Sequence, residues 1–409
     1  MDNNKQHFSA VSYISGTGRV SSREKLHNDK YIKFGEYDNF PNHLVELYNN
    51  SSIHETCIDA IVEAIKGDGL VAEPSFVLDK ANHSGESWND IFTKVVKDYY
   101  LFGGFYLEII WNKLRTKISE VYHIPFTSVR AKEANHRGYC EGYFISHEWG
   151  IEEYGWRTEV DNAVYLPSYN PAKKKDEPSQ LYAHKTYRPL QRYYPLPPYV
   201  GALKVVELDC EIDNWHVSNI KNGLAPSVAI TTFTNGTEED RRTIENQLRT
   251  QYGGSSNAGQ LFYMDVPDID RKPIIEPIPQ NGADGYYTTI NDMVVQKILT
   301  AHRITSPMLL GIKTEGQLGG AQEMLDAYTL FLNMVIKPYQ QEILMCLEEI
   351  LEQQYPLTDI TLGVEQKQIL DTGVEEVDVI TSKEAEAGDD AMLETDIEDA
   401  IEEQQMEGV

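Results

Sequence analysis

Two histidines stand directly beside an acid, in HETC (54–57) and in HEW (147–149). An imidazole next to a carboxylate can relay a proton or help hold a metal, but a metal site needs further ligands at fixed spacing, such as the second histidine of HExxH. Neither stretch has one, and the eleven histidines are scattered without clustering, so both read as ordinary residues. The acid pairs Glu152–Glu153 and Glu238–Glu239 lie in polar surroundings and read as solvated faces rather than catalytic carboxylates. No GxxxxGK[ST] run cradles a nucleotide, and no GxSxG presents a nucleophile. The glycine-rich GGSSNAGQ (253–260) precedes no helix whose N-terminus would hold phosphate. Cys57, Cys140, Cys210 and Cys346 are far apart, without CxxC spacing, and read as reduced and structural. No catalytic residue, no metal ligand and no cofactor is expected, and the chain is read as not an enzyme.

The elements that carry these residues must therefore serve another purpose. At 409 residues the chain is too long for one simple core, so two or three sub-domains are expected. Hydrophobic content of 41% and charged content of 24% are ordinary for a globular protein. No apolar run reaches the ~18–20 residues that cross a membrane. The N-terminal MDNNKQHFSAVSYISG lacks the apolar centre of a signal peptide, so a cytoplasm-like compartment is expected. Net charge is −28, and the acid is unevenly spread. Residues 364–409 hold sixteen Asp and Glu against Lys367 and Lys383, a net −14 and half of the total. Such a surface argues against tight, static binding to nucleic acid, which relies on Lys and Arg. It does not argue against a surface that nucleic acid must pass without sticking.

Residues 1–40 read as polar and irregular. PNHLVELYNNSSIHETCIDAIVEAIK (41–66) holds two helical patterns, stopped by GDGL (67–70). Trp88–Tyr100 reads as a helix, and 103–112, 121–131 and 138–149 read as strands, so the first third is mixed α+β. RPLQRYYPLPPYVG (188–201) has four prolines and reads as a rigid connector. A helix is expected over 202–222, with Val205, Leu208, Ile212 and Trp215 on one face. A strand (224–234), a capped helix (237–254) and two further strands (258–266 and 272–279) form an insertion. A second flanking helix follows over 288–303, with Ile290, Val294 and Ile298 in phase.

SPMLLGIKTEGQLGGAQEM (306–324) then runs as a glycine-rich loop into a long helix reaching about Gln354. At ~1.5 Å per residue that helix would span ~45 Å, with a kink or break at Pro338. A polar loop with glycines at 311, 316, 319 and 320 is either a lid over a pocket or a segment hanging into open space. After Pro356 the chain reads as an acidic tail.

The order of these elements resembles the portal proteins of tailed double-stranded-DNA phages, from about Pro41 to about Ile350. LYNNSSIHETCIDAIVEAIKGDGL is similar to the family's first wing helices. YPLPPYVGALKVVELDCEIDNWHVSNIKNGLAPSVAIT is similar to a stem helix entering the first clip strand. LRTQYGGSSNAGQLFYMDV resembles a clip helix and next strand, and ILTAHRITSPMLLGIKTEG resembles a second stem helix entering a tunnel loop. FLNMVIKPYQQEILMCLEEIL resembles the long, proline-bearing wing helix.

The resemblance implies an α+β portal fold. It divides the chain into an arm and wing (1–200), stem helix 1 (201–223), an α/β clip (224–286) and stem helix 2 (287–305). A tunnel loop (306–322), a long kinked wing helix (323–355) and an acidic crown or tail (356–409) complete it. It implies a tunnel loop facing a DNA channel with Gly311, Lys313, Thr314, Glu315, Gly316, Gln317, Gly319 and Gly320. It offers Arg241, Arg242 and Arg249 of the clip helix for docking a motor or adaptor, and Val205, Leu208, Ile212, Trp215, Val294 and Ile298 for stem packing. The implied assembly is a homo-oligomeric ring, usually of twelve copies, at a capsid vertex of the virion, built in the host cytoplasm. Its implied partners are the major capsid protein, scaffold, terminase large subunit, head–tail adaptor and passing double-stranded DNA, with no membrane. Another head–tail connector ring, or a DNA-packaging enzyme, stands as the alternative.

Overall fold

The computed structural model describes residues 22, 24–27, 31–35, 37–149, 152–153, 156–157, 163–222, 228–232, 261–265, 283–311, 321–366 and 379–381. They fall into two units, residues 1–200 with 302–409, and residues 201–301. Helices and sheets are mixed in an α+β arrangement.

The first unit opens with a hairpin, β1 (Glu24–His27) and β2 (Tyr31–Phe34). Helices α1 (Phe40–Asn50) and α2 (Ser52–Lys66) follow. Pro41 sits in the first turn of α1, where a missing N–H costs nothing. Ser51 caps α2 by accepting from the His54 amide. After β3 (Gly69–Glu73), helix α3 (Trp88–Phe102) starts with a reciprocal cap between Ser87 and Asp90. It stops at Gly103, φ 87°. A Cβ there would stand 2.3 Å from the Leu196 carbonyl oxygen, so both conformation and closeness demand glycine.

Strands β4 (Gly104–Trp111), β5 (Ile118–Ile124), β6 (Val129–Ala131), β7 (Gly142–Ile145), β8 (Glu152–Glu153), β9 (Trp156–Arg157), β10 (Val164–Pro167) and β11 (Ser179–Lys185) come next. They build antiparallel sheets in the orders β11-β4-β5 and β10-β7-β6, with β8 paired to β9. The single strand expected over 121–131 is two strands. Pro125 cannot donate to a ladder, and a tight turn over Phe126–Ser128 takes its place.

The proline-rich connector is part of this unit's core. Tyr194 and Tyr199 are fully buried. The Tyr194 hydroxyl accepts from the Ala131 amide at 2.9 Å and donates to the Ile32 carbonyl. Its ring stacks on Phe34 at 4.3 Å, and the Tyr199 hydroxyl donates to the Leu101 carbonyl at 2.8 Å.

The second unit holds α4 (Leu203–Asn222), the parallel pair β12 (Val228–Thr232) and β13 (Leu261–Asp265), and α5 (Ala283–Ala301), which packs on α4. The expected helix over 237–254 and strand over 272–279 lie outside the described residues.

The chain then returns to the first unit. Helix α6 (Ala321–Phe331), a wide π-type turn (Leu332–Ile336) and α7 (Lys337–Gln354) form the long element. Ile343, Leu344, Leu347, Ile350 and Leu351 are fully buried on one side of α7. Gln340 is buried too, and donates to the last-turn carbonyl of Ile65 at 2.9 Å.

The acidic tail begins later than its composition suggests. β14 (Thr361–Glu365) is the central strand between β3 and β15 (Val379–Thr381), with Leu362 and Val364 fully buried. Only five residues long, β14 is too short to raise the apolar content of a stretch so rich in acid.

Candidate functional site

The glycine-rich loop is entered through a pinned segment. His302 follows α5 and is buried. Its Nε2 lies 2.9 Å from Nδ1 of His54, and its Nδ1 lies 2.9 Å from the Tyr100 hydroxyl. Burial pushes the His54 imidazole down to about 4 and that of His302 to about 3, the neighbouring His54 adding to the latter. The pair is therefore neutral at pH 7 and works as a hydrogen-bonded fastening.

Arg303 turns the chain with φ 58° and donates from Nη2 to the Met334 carbonyl at 3.3 Å. Pro338, four residues beyond Met334, has no N–H for that carbonyl, and its ring crowds it. The wide turn at 332–336 makes room for the ring, and Arg303 supplies a donor. Thr305 adds a bond from its hydroxyl to the Ala327 carbonyl at 3.0 Å. Ser306 caps the short turn Pro307–Leu310, and Gly311 closes it at φ 75°. Nothing lies within 4 Å of where a Gly311 Cβ would stand, so its left-handed backbone alone calls for glycine. Lys313, Thr314, Glu315, Gly316, Gln317, Gly319 and Gly320 lie outside the described residues.

A second constellation joins α7 to β11. Glu342, Cys346 and Glu349 recur at helical spacing. His184 places Nε2 2.9 Å from Glu342 Oε1 and Nδ1 3.2 Å from Cys346 Sγ. The Tyr99 hydroxyl donates to the other Glu342 oxygen at 2.5 Å. Burial alone would pull the His184 imidazole down, but Cys346 and Glu342 outweigh it and lift it to about 9. A thiol beside a base is the geometry of an activated nucleophile. Here Cys346 is buried, only 9% exposed, and the network ties strand to helix. Sequence reasoning missed His184 and Glu342, because nothing local links residues 158 apart.

The HEW stretch is also structural. Ser128 Oγ lies 3.0 Å from His147 Nδ1, and Trp149 Nε1 donates to the Ser128 carbonyl at 2.6 Å. All four cysteines are free, and among the described residues no group of three or more His, Cys, Asp or Glu could hold a metal ion. No helix among them is long and apolar enough to cross a membrane.

Of the residues expected to pack the stem, Ile212, Val294 and Ile298 are buried and Val205 is half-buried. Leu208 and Trp215 are 40% and 38% exposed. The face of α4 buried within one chain is Val206, Asp209 and Ile212. Apolar periodicity could not choose that face, since Asp209 interrupts it. Arg241, Arg242 and Arg249 lie outside the described residues.

Against known proteins, residues 72–362 match the family model described as phage portal protein. Two uncharacterized proteins, of Rickettsia felis (strain ATCC VR-1525 / URRWXCal2) and Rickettsia bellii (strain RML369-C), are 22% and 21% identical over 293 residues. Each match covers 68% of this chain and 69% of the relative. Among solved structures, a chain of the virion of a native gene transfer agent particle aligns with TM-score 0.52 and 17% identity, covering 81% of this chain and 84% of its own. A chain from the neck of an empty particle, computed with C6 symmetry, aligns with TM-score 0.53 and 16% identity, covering 81% and 85%. One from the neck of a native particle, computed with C12 symmetry, gives 0.51 and 17%, covering 79% and 83%. These likenesses concern the fold. The family match, spanning residues of both units and every element from α3 to α7, places the chain in the phage portal protein family.

Proposed function

We propose that the chain forms a closed ring of about twelve copies at one vertex of a phage-type capsid, and that double-stranded DNA enters and leaves through its channel. The family match over 72–362 carries this reading, and a neck solved with C12 symmetry around a chain of the same fold supports the copy number. In the ring, 312–320 hangs into the channel beyond the pinned entry described above. Lys313 and Glu315 nearly cancel, so the loop offers phosphates little net attraction. Leu208 and Trp215, exposed on a single chain, face a neighbouring copy across the stem. The clip arginines 241, 242 and 249 serve the terminase motor and then the adaptor, while capsid protein and scaffold meet the wing. The ring is a conduit, without ATPase or nuclease chemistry of its own.

Mass photometry at micromolar concentration and near-physiological salt is expected to show one large oligomer of about a dozen copies, and negative stain a central hole. A stable monomer under these conditions would overturn the reading. Nuclease or ATPase turnover lost on changing one acid of this chain would overturn its non-enzymatic part.

A further inference from the structure

In a chain of net charge −28, one patch is cationic. The tight β4–β5 turn carries Lys113, Arg115 and Lys117 with no acid in 112–117. The loop between β10 and β11 carries Lys173, Lys174 and Lys175 against Asp176 and Glu177. The fold fastens these two loops together around Trp111. The Trp111 amide donates to the Pro178 carbonyl at 2.9 Å, and its Nε1 donates to Gln180 Oε1 at 3.3 Å. Gln180 holds the other loop by bonding Asn170 on both sides, at 3.0 and 3.2 Å. Lys174 Nζ lies 4.9 Å from the Trp111 ring centroid. Arg115 is spent on the turn itself, donating to the carbonyls of Trp111 and Asn112. Lys113, Lys117, Lys173 and Lys175 are exposed, and among the described residues none of the six cations is in an ion pair.

Six cations held together on an acidic chain repel one another and attract a polyanion. We propose that this patch is a binding site for an acidic polypeptide, and that its occupant is the acidic segment 382–409 of the same chain. That segment carries eleven acids against Lys383. Twenty-eight residues reach up to ~90 Å when extended. A tethered segment also meets its site at an effective concentration around millimolar, which weak exposed charge pairs need. Free nucleic acid has no such tether and must approach against the charge of the whole chain. The inference is independent of the ring.

The test is zero-length carbodiimide coupling of the full chain, which joins lysine amines to carboxylates in contact, followed by peptide mapping. At about 0.01 M salt, where charges act over ~30 Å, Lys113, Lys117, Lys173 and Lys175 should take most of the couplings from 382–409. At about 1 M salt, where the range is ~3 Å, those couplings should fall several-fold. In Lys173→Glu/Lys175→Glu, couplings at the remaining Lys113 and Lys117 should fall several-fold as well, with circular dichroism unchanged. Couplings spread evenly over lysines outside the patch, such as Lys66, Lys80 and Lys94, would overturn the proposal, as would couplings indifferent to salt. So would a short DNA duplex that displaces the segment at equal charge concentration, since the patch would then prefer nucleic acid. The salt comparison on the unaltered chain decides the matter even if the double variant misfolds.

Discussion

At the scale of single residues, the informative groups are buried polar ones. His54 and His302 are held below their ordinary value by burial. The unfolded chain therefore binds protons at both sites before the folded chain does. Their contribution to stability is complete above about pH 6.5 and is lost as pH falls toward about 4, by about 1.4 kcal/mol per pH unit for each histidine. Urea midpoints measured at pH 7, 6 and 5 should fall less steeply for His302→Gln than for the unaltered chain, with a lower starting value at pH 7. Parallel lines would mean that the pair is not neutral when folded. Arg130 makes the opposite case, a fully buried charge. It donates from Nε to Asp38 Oδ1 at 2.5 Å and from its other nitrogens to the carbonyls of Asp38, Thr127 and Val129. Asp38→Asn strands that charge, and a loss of about 3–5 kcal/mol is expected, read as a lower thermal midpoint. An unchanged midpoint would show that water reaches Arg130.

At the scale of elements, the late strand β14 is the sharpest case. Val364 pairs with Leu70, and the Glu365 carbonyl accepts from the Asp68 amide at 2.8 Å. Cutting the chain after Pro356 removes the centre of a sheet, whereas cutting after Thr381 leaves its three strands. Soluble yield is the measurement. The shorter chain should aggregate, and the longer should fold with nearly the stability of the whole. Equal yields would mean that β14 is peripheral. The N-terminal half of this sheet was legible in sequence only as GDGL after a helix, and its partner was hidden among acids. The interruption ahead of Pro338 was legible, because proline removes a known bond. That Arg303 would serve the freed Met334 carbonyl was not, since the arginine lies 31 residues away.

At the scale of the whole molecule, the proposed role concentrates on the loop whose entry is fixed and whose middle must yield. Gly319→Val with Gly320→Val stiffens it next to α6, because valine tolerates few of the conformations open to glycine. In a phage lacking its own portal, such rings should assemble in normal numbers while particles hold less DNA. Normal DNA content would show that backbone freedom there is irrelevant. Loss of rings would show that these glycines are structural. Arg303, Thr305 and His302 fix the loop's entry independently of it, so the double change should leave the thermal midpoint of isolated chains unaltered.

By itself, the sequence determined the local matters. GDGL stops a helix at Gly67, Pro338 interrupts the long helix, and the order of patterns from Pro41 to Ile350 suffices to resemble a family. Those signals act within one turn or one strand, where backbone conformation and apolar periodicity are set by neighbours in the chain. Tertiary structure alone decided that the proline-rich connector would thread the core with Tyr194 and Tyr199. It decided too that α4 would bury Val206 rather than Leu208, and that His184 would meet Cys346 and Glu342. In each case the deciding term is burial or a hydrogen bond between segments far apart in sequence, whose energy no local pattern records.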